Sequence, residues 1–208
     1  VHILPMLDLS PLYNQLDLSR PLTDPANAIA LGTMLPAFRS ASDTGPDRWQ
    51  IHQEGSPGTV LAELPTANFV GSFGTAELED CEGLPLGQNC RGDGMFFHNS
   101  AVRIRDVIDG TSNTFHVGER KTDASLGWYS TWVGVVPEGE EAFARVLGVA
   151  DHNPNSPAAH LDDFSSYHEG GVFFLFGDGR VRFLSENVDH GIYRGLATRA
   201  GGEVAGEY

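Results

Sequence analysis

No stretch of this 208-residue chain approaches eighteen consecutive apolar residues, so no segment of it reads as a membrane-spanning helix. Basic side chains are scarce, thirteen against 28 acidic ones, and the net charge is −15. Such a surface repels phosphate backbones and anionic lipid, which argues against a nucleic-acid partner. It would attract divalent cations or basic partners, although solubility alone is the plainer reading. Cysteine is scarcer still: Cys81 and Cys90 are the only two, nine positions apart in an acidic, glycine-rich segment. That is neither the C-x-x-C of a redox pair nor a zinc ligand set. A disulfide closing a short loop fits better, with two free buried thiols as the alternative. Chain entropy gives such a loop about 2.7 kcal/mol of stabilisation, and the bond implies an oxidising compartment outside the cytoplasm. The N-terminus VHILPMLDLS has no basic start, and Pro5 interrupts its apolar run, so it is not read as a signal peptide. The chain is expected to be a fragment of a longer protein. Heptads, repeats, low-complexity tracts, EF-hand spacing and a G-x-S-x-G elbow are all missing.

What is present is strongest from Phe164 to Leu184, FSSYHEGGVFFLFGDGRVRFL. Val172–Phe176 is a continuous apolar run suited to a strand buried on both faces or nearly so. Gly177-Asp178-Gly179 supplies a hairpin turn, and residues 180–184 alternate polar and apolar as a half-exposed return strand does. His168 enters the hairpin nine residues ahead of Asp178 and Gly179, an H-x9-DG spacing.

Elsewhere, Pro5 and Pro11 restrict residues 3–16 to short helical turns. Asp24-Pro25 starts an N-capped helix over 26–36 with Ala28, Leu31 and Leu35 on one face. Residues 39–59 read as loop around a short strand at 49–52. From Ala67 the pattern turns to β: strands are expected at 68–74, 95–97, 102–107, 114–119 and 128–136, before a polar loop over 151–163. A short helix within 186–197 closes the chain. The fold class expected is α+β, one head domain over 1–208 that is mostly antiparallel sheet. Within it, 1–36 is the helical and loop end, 67–184 the sheet core and 185–208 a C-terminal segment.

Several constellations bear chemistry. Glu77, Glu79, Asp80 and Glu82, with Asp93 beyond Cys90, offer carboxylate oxygens on a constrained loop, the donors calcium takes; the alternative is a solvated acidic loop. His152, His160 and His168 recur every eight residues with Asp162 and Asp163 between them, and a loop could fold them around zinc. Surface histidines on a polar loop are the plainer account. Ser165, Ser166, His168 and Asp178 lack the context of a nucleophile, so His168 is assigned to fastening the hairpin's mouth, by backbone groups or a carboxylate. His116 and Glu119, three apart on a strand, face opposite sides and are not read as a pair. Trp128 and Trp132 could stack on a sugar if exposed; alternation favours the core.

In order along the chain, these pieces resemble a family. They are Ile3-Leu4-Pro5 with Leu12-Tyr13-Asn14-Gln15, Asn68-Phe69-Val70-Gly71, residues 94–100 (GMFFHNS), residues 104–114 (IRDVIDGTSNT), Val117-Gly118-Glu119-Arg120, the hairpin, and residues 198–203 (TRAGGE). The set resembles the large bacterial family of prepilin-like proteins of unknown function carrying the H-X9-DG signature, the DUF1559 type. The resemblance implies the head of a type IV pilin or type II secretion pseudopilin, non-enzymatic and extracytoplasmic. An N-terminal hydrophobic helix absent here would anchor it in the membrane, with its sheet packing on that helix's C-terminal half. Partners would be copies of itself or other pilin-like subunits, and no catalytic residue carries over. Major pseudopilins bind calcium near the sheet, which favours calcium for the acidic loop. Residues 39–43 (RSASD) stand where relatives often show Cys-Pro-Ser-Asp, leaving Cys81 with Cys90 as the natural pair. Two other classes are kept: a surface module binding glycan or another polymer, and a metal-dependent hydrolase built on the histidine-rich loop.

Overall fold

A computed structural model describes residues 1–82, 84, 88 and 90–202. The prolines act at the N-terminus as the sequence requires. Pro5 lies at the start of a 3₁₀ turn, Leu4–Leu7, and Pro11 at the start of α1, Ser10–Tyr13, each burying one leucine. Asp24 caps the next segment by accepting the amide of Ala26 at 2.9 Å. The single helix expected there is instead a 3₁₀ turn, Pro25–Asn27, running into a four-residue α2, Ala28–Leu31. Gly32 and Thr33 end it; Ala30, Leu31 and Leu35 are buried, whereas Ala28 is exposed.

Strands β1 (Arg48–Gln53) and β2 (Ser56–Pro65) form an antiparallel hairpin around Gly55, whose φ of 68° is left-handed. Trp49, Ile51 and Leu64 face a first core with Leu4, Leu12, Leu31 and Trp132. The expected loop over 39–59 therefore ends early. Residues 56–59 are exposed and held by backbone pairing, so they carry no hydrophobic signal.

The second sheet contains β3 (Phe69–Gly74), β4 (Phe115–Glu119), β5 (Leu147–Val149), β6 (Gly171–Phe176) and β7 (Val181–Ser185), in the order β5-β3-β4-β6-β7. Only the β3–β5 pair in it is parallel. The short α3, Glu79–Glu82, follows β3, and α4, His190–Ala197, closes the chain. Asp189 caps α4 on the amide of Ile192. The helix lays Tyr193 and Leu196 on the sheet against Val70, Phe115, Phe164, Val172, Phe174 and Phe176. Phe115 is central there, its ring 4.4 Å from that of Phe174 and 5.5 Å from that of Phe164. A third core forms where Cys81 and Cys90, joined as a disulfide, pack with Phe73, Leu78, Leu147 and Leu161. The protein is thus α+β with mostly antiparallel strands, and no helix among the described residues is long and apolar enough to cross a membrane.

Four strand expectations need correction. Val172–Phe176 is not buried on both faces: Phe173 and Leu175 point outward while Val172, Phe174 and Phe176 point in. Residues 102–107 form a 3₁₀ turn, Ile104–Asp106, because the Asp106 carboxylate accepts the amide of Arg103 at 2.8 Å and competes with any ladder. Residues 95–97 make one ladder-like bond, Phe96 to Ser72, and lay Phe96 over Gly71 instead. Residues 128–136 contribute isolated bridges only, at Trp128 and Ser130, and fill the first core from a loop.

Arg120 follows β4 directly and is 1% exposed. Its guanidinium donates to the carbonyls of Ala144, Leu147 (2.8 Å), Asp162 (2.5 Å) and Asp163 (3.1 Å), and to the Ser130 hydroxyl. Burial pushes its pKa down to about 10, so the group stays charged at neutral pH. A planar fork with five donors suits four carbonyls from separate segments in a way an ammonium does not. Arg120→Leu is expected to lower the unfolding free energy by about 3–5 kcal/mol in urea titrations, and Arg120→Lys to recover less than half of it. An Arg120→Leu protein as stable as the wild type would show that these carbonyls are satisfied without it.

Candidate functional site

The hairpin's turn is built as its residues dictate. The Phe176 amide bonds the Arg180 carbonyl at 2.8 Å, the Gly179 amide bonds the Phe176 carbonyl at 2.9 Å, and Gly179 takes a φ of 87°. Of the three turn residues only Gly179 needs the left-handed conformation, the form of a three-residue loop. Asp178 accepts the amide and the side chain of Arg180, and these bonds hold its carboxyl below the usual range. Gly177 is glycine for a steric reason: a Cβ there would sit 2.5 Å from Nε2 of His116 on the neighbouring strand.

His168 lies at the other end of β6 from Asp178, about 20 Å away along six strand residues, so the two form no dyad. Its Nε2 is instead 3.5 Å from Oε1 of Glu119, and its ring stands edge-on to Phe173, 5.1 Å between centroids. Glu119 is buried, and its Oε2 accepts the amide of Phe173 at 3.0 Å. Ser166 donates to the Gly171 carbonyl and accepts the His168 amide, which ties up its hydroxyl in the turn. Glu119 was thus missed as a functional side chain. The signal available was its place in Val117-Gly118-Glu119-Arg120, where Gly118 has no room for a Cβ beside Phe164 and Phe174.

The acidic set divides. Glu77, Glu79 and Asp80 are exposed near α3, whereas Asp93 uses both oxygens on Thr75, the amide at 2.7 Å and the hydroxyl at 2.6 Å. The side chain of Glu82 lies outside the described residues. Trp132 is buried, stacked near Phe38 and donating to the Thr33 carbonyl, and so offers no face to a sugar. Trp128 is half-buried against the disulfide core. The two tryptophans therefore make no exposed platform; they pack in the cores, which the alternation favours, and the sugar-stacking alternative finds no exposed face.

The polar loop over 151–163 does gather ligand-type side chains, without a helix. Among the described residues, two groups bring their ligand atoms within 4.8 Å of one another: Asp151, His152 and His160, and His160, Asp162 and Asp163. His168 belongs to neither. Asp163 organises the loop: its Oδ1 accepts the His152 amide at 2.9 Å, and its Oδ2 accepts the His160 amide at 2.8 Å and faces His152 Nδ1 at 3.0 Å. The His152 and His160 rings meet edge to face, 5.0 Å between centroids. Arg194 of α4 approaches Asp151 at 3.6 Å. Burial, then the charges of Asp151, Asp162, Glu79 and Asp80, raise the pKa of Glu77, so this end of the acidic segment shares one electrostatic surface with the loop. Burial is also what raises Asp162, against the pull of Arg120.

In this α+β fold Glu119, at the end of β4, holds the hairpin's mouth, and Arg120, just after it, holds the loops on either side of β5. The chain belongs to a family described as proteins of unknown function (DUF1559), whose model matches residues 1–191. No curated protein and no solved structure matches the chain.

Two predictions follow from this geometry. Glu119→Ala strands the Phe173 amide at the hairpin's mouth and is expected to cost about 1–3 kcal/mol in chemical denaturation, whereas His168→Ala, at a half-exposed contact, costs less than about 1 kcal/mol. Equal losses would mean that the histidine, not the carboxylate, is the fastening. The second concerns His116, whose Nε2 is buried with no hydrogen-bond partner and whose pKa is lowered by burial. Its folded-state pKa lies below the unfolded value of 6.5, so the unfolded chain takes the proton more readily. The stability tied to neutral His116 is present at neutral pH and lost as pH falls below 6.5. The melting-temperature gap between wild type and His116→Gln should therefore narrow between about pH 7.5 and pH 5; a gap that widens would reverse the assignment.

Proposed function

We propose that this chain is the extracytoplasmic head of a pilin-like or pseudopilin-like structural subunit, without catalytic activity. The observation that carries the reading is the solvent face of the five-stranded sheet. Phe173 (38% exposed) and Leu175 (39%) on β6 stand beside Phe183 (42%) and Val181 (64%) on β7, their cross-strand partners. Val117 on β4 continues the row as the partner of Leu175. A contiguous apolar strip across three strands is unusual for a surface that meets only water. It suits the apolar side of a helix from the same polypeptide, as the prepilin resemblance implies. The Cys81–Cys90 disulfide supports a site of action outside the cytoplasm.

Partners would then be further copies or other pilin-like subunits. The polymer-binding alternative loses its clearest support with Trp132 in the core. The test uses the complete reading frame in its own host. Leu175→Asp and Phe183→Asp are expected to reduce recovery of the protein in sheared surface filaments at least tenfold. Exposed substitutions of this kind should change the stability of the 208-residue protein by only about 0.5 kcal/mol. Unchanged recovery of both variants, or a wild-type protein never found in membrane or filament fractions, would sink the reading.

A further inference from the structure

His160 belongs to both ligand groups of the 151–163 loop, and the loop is shaped before any ion arrives. Asp163 collects two backbone amides, and Arg120 clasps the carbonyls of Asp162 and Asp163 from beneath. What the scaffold leaves over is an imidazole facing two carboxylates. Nδ1 of His152 lies 3.0 Å from Asp163 Oδ2 and 3.2 Å from Asp151 Oδ2. One ring proton cannot serve both well. Asp163 has the His152 and His160 amides as further donors, whereas Asp151 has only the looser approach of Arg194, at 3.6 Å, as a further ion pair among the described residues. Beside them His160 is exposed and its ring makes no hydrogen bond among the described residues, so its nitrogens are open to an ion.

The donor set decides the ion. Two imidazoles with one or two carboxylates suit a small first-row divalent cation in tetrahedral geometry, with zinc foremost. Calcium asks for six to eight oxygens and has little use for imidazole. A buried carboxylate holding a ligating histidine in place is also the outer-shell arrangement such sites use, and the Asp163 side chain is fully buried.

We propose that Asp151, His152 and His160 form a surface site for a zinc-class divalent ion, with Asp163 orienting His152 and a water completing the tetrahedron. The ion would tie the two ends of the 151–163 loop together beside the disulfide core. This site is separate from the apolar sheet face and from the His168–Glu119 fastening, so it stands whether or not the head-domain reading does.

The test is zinc titration of the 208-residue protein, free of any affinity tag, against a chromophoric chelator, with metal content read by mass spectrometry after dialysis. One zinc per chain is expected. His160→Gln should weaken binding at least about tenfold, and His168→Ala should leave it unchanged. Cobalt in place of zinc should give the intense visible absorption of a tetrahedral site, lost in the His160→Gln protein. Should His160→Gln fail to fold by circular dichroism, Asp151→Asn carries the same expectation. No retained zinc in the wild type, equal affinity in the folded variant, equal loss in His168→Ala, or displacement of zinc by millimolar calcium would each overturn the proposal.

Discussion

One buried cation organises the centre of the molecule. The Arg120 guanidinium has left water to bond carbonyls at Ala144, Leu147, Asp162 and Asp163. Those carbonyls sit just before β5, at its first residue, and where the histidine loop turns back toward the hairpin. Charged hydrogen bonds in a dry interior are strong when complete and costly when broken. The site demands arginine rather than any cation because its acceptors come from several segments and are met by three different guanidinium nitrogens. β5 is only three residues long, and the segments flanking it, 120–146 and 150–170, contain no named strand or helix of their own.

Glu119, one residue earlier, extends the same logic to the opposite side. A buried carboxylate takes the first outward amide of β6 and leaves its second oxygen to His168. Adjacent residues at the end of one strand thus fix two regions, the hairpin through an acceptor and the loops through a fork of donors. Gly118 completes the run by letting Phe164 and Phe174 close over the backbone. Val117-Gly118-Glu119-Arg120 works as a hub because the strand's alternation sends neighbouring side chains in different directions.

The legibility of the fold divided along the same lines. The hairpin could be read because its information is local: Gly177-Asp178-Gly179 sits between two apolar runs, and turn chemistry needs no distant partner. Pro11 and Asp24 placed short helical starts for the same reason. Residues 128–136 misled because aromatic and β-branched composition reports burial, and a loop can bury Trp132 as well as a strand can. The 102–107 segment misled because its alternation was overridden by one carboxylate capping a turn. At the site, the eight-residue recurrence of His152 and His160 was visible, but what joins them, two amides on Asp163, was not, and His168 shared the spacing without sharing the place. The partners of Arg120 were illegible in principle, since a backbone carbonyl looks the same under every side chain.

The parallel pairing of β3 with β5 has a consequence for how the chain acquires its shape. Gly71 meets Leu147, 76 positions further along the chain, and β4, the other neighbour of β3, itself waits for β6. A polypeptide emerging N-terminus first can complete the β1–β2 hairpin and the Cys81–Cys90 loop early. The middle of the sheet stays open until β6, Gly171–Phe176, is delivered. Contacts of such long range slow folding and leave strand edges unpaired meanwhile. A chain threaded across a membrane would therefore pass through a half-assembled stage with its central strands bare, and the early cross-link confines that stage to fewer conformations.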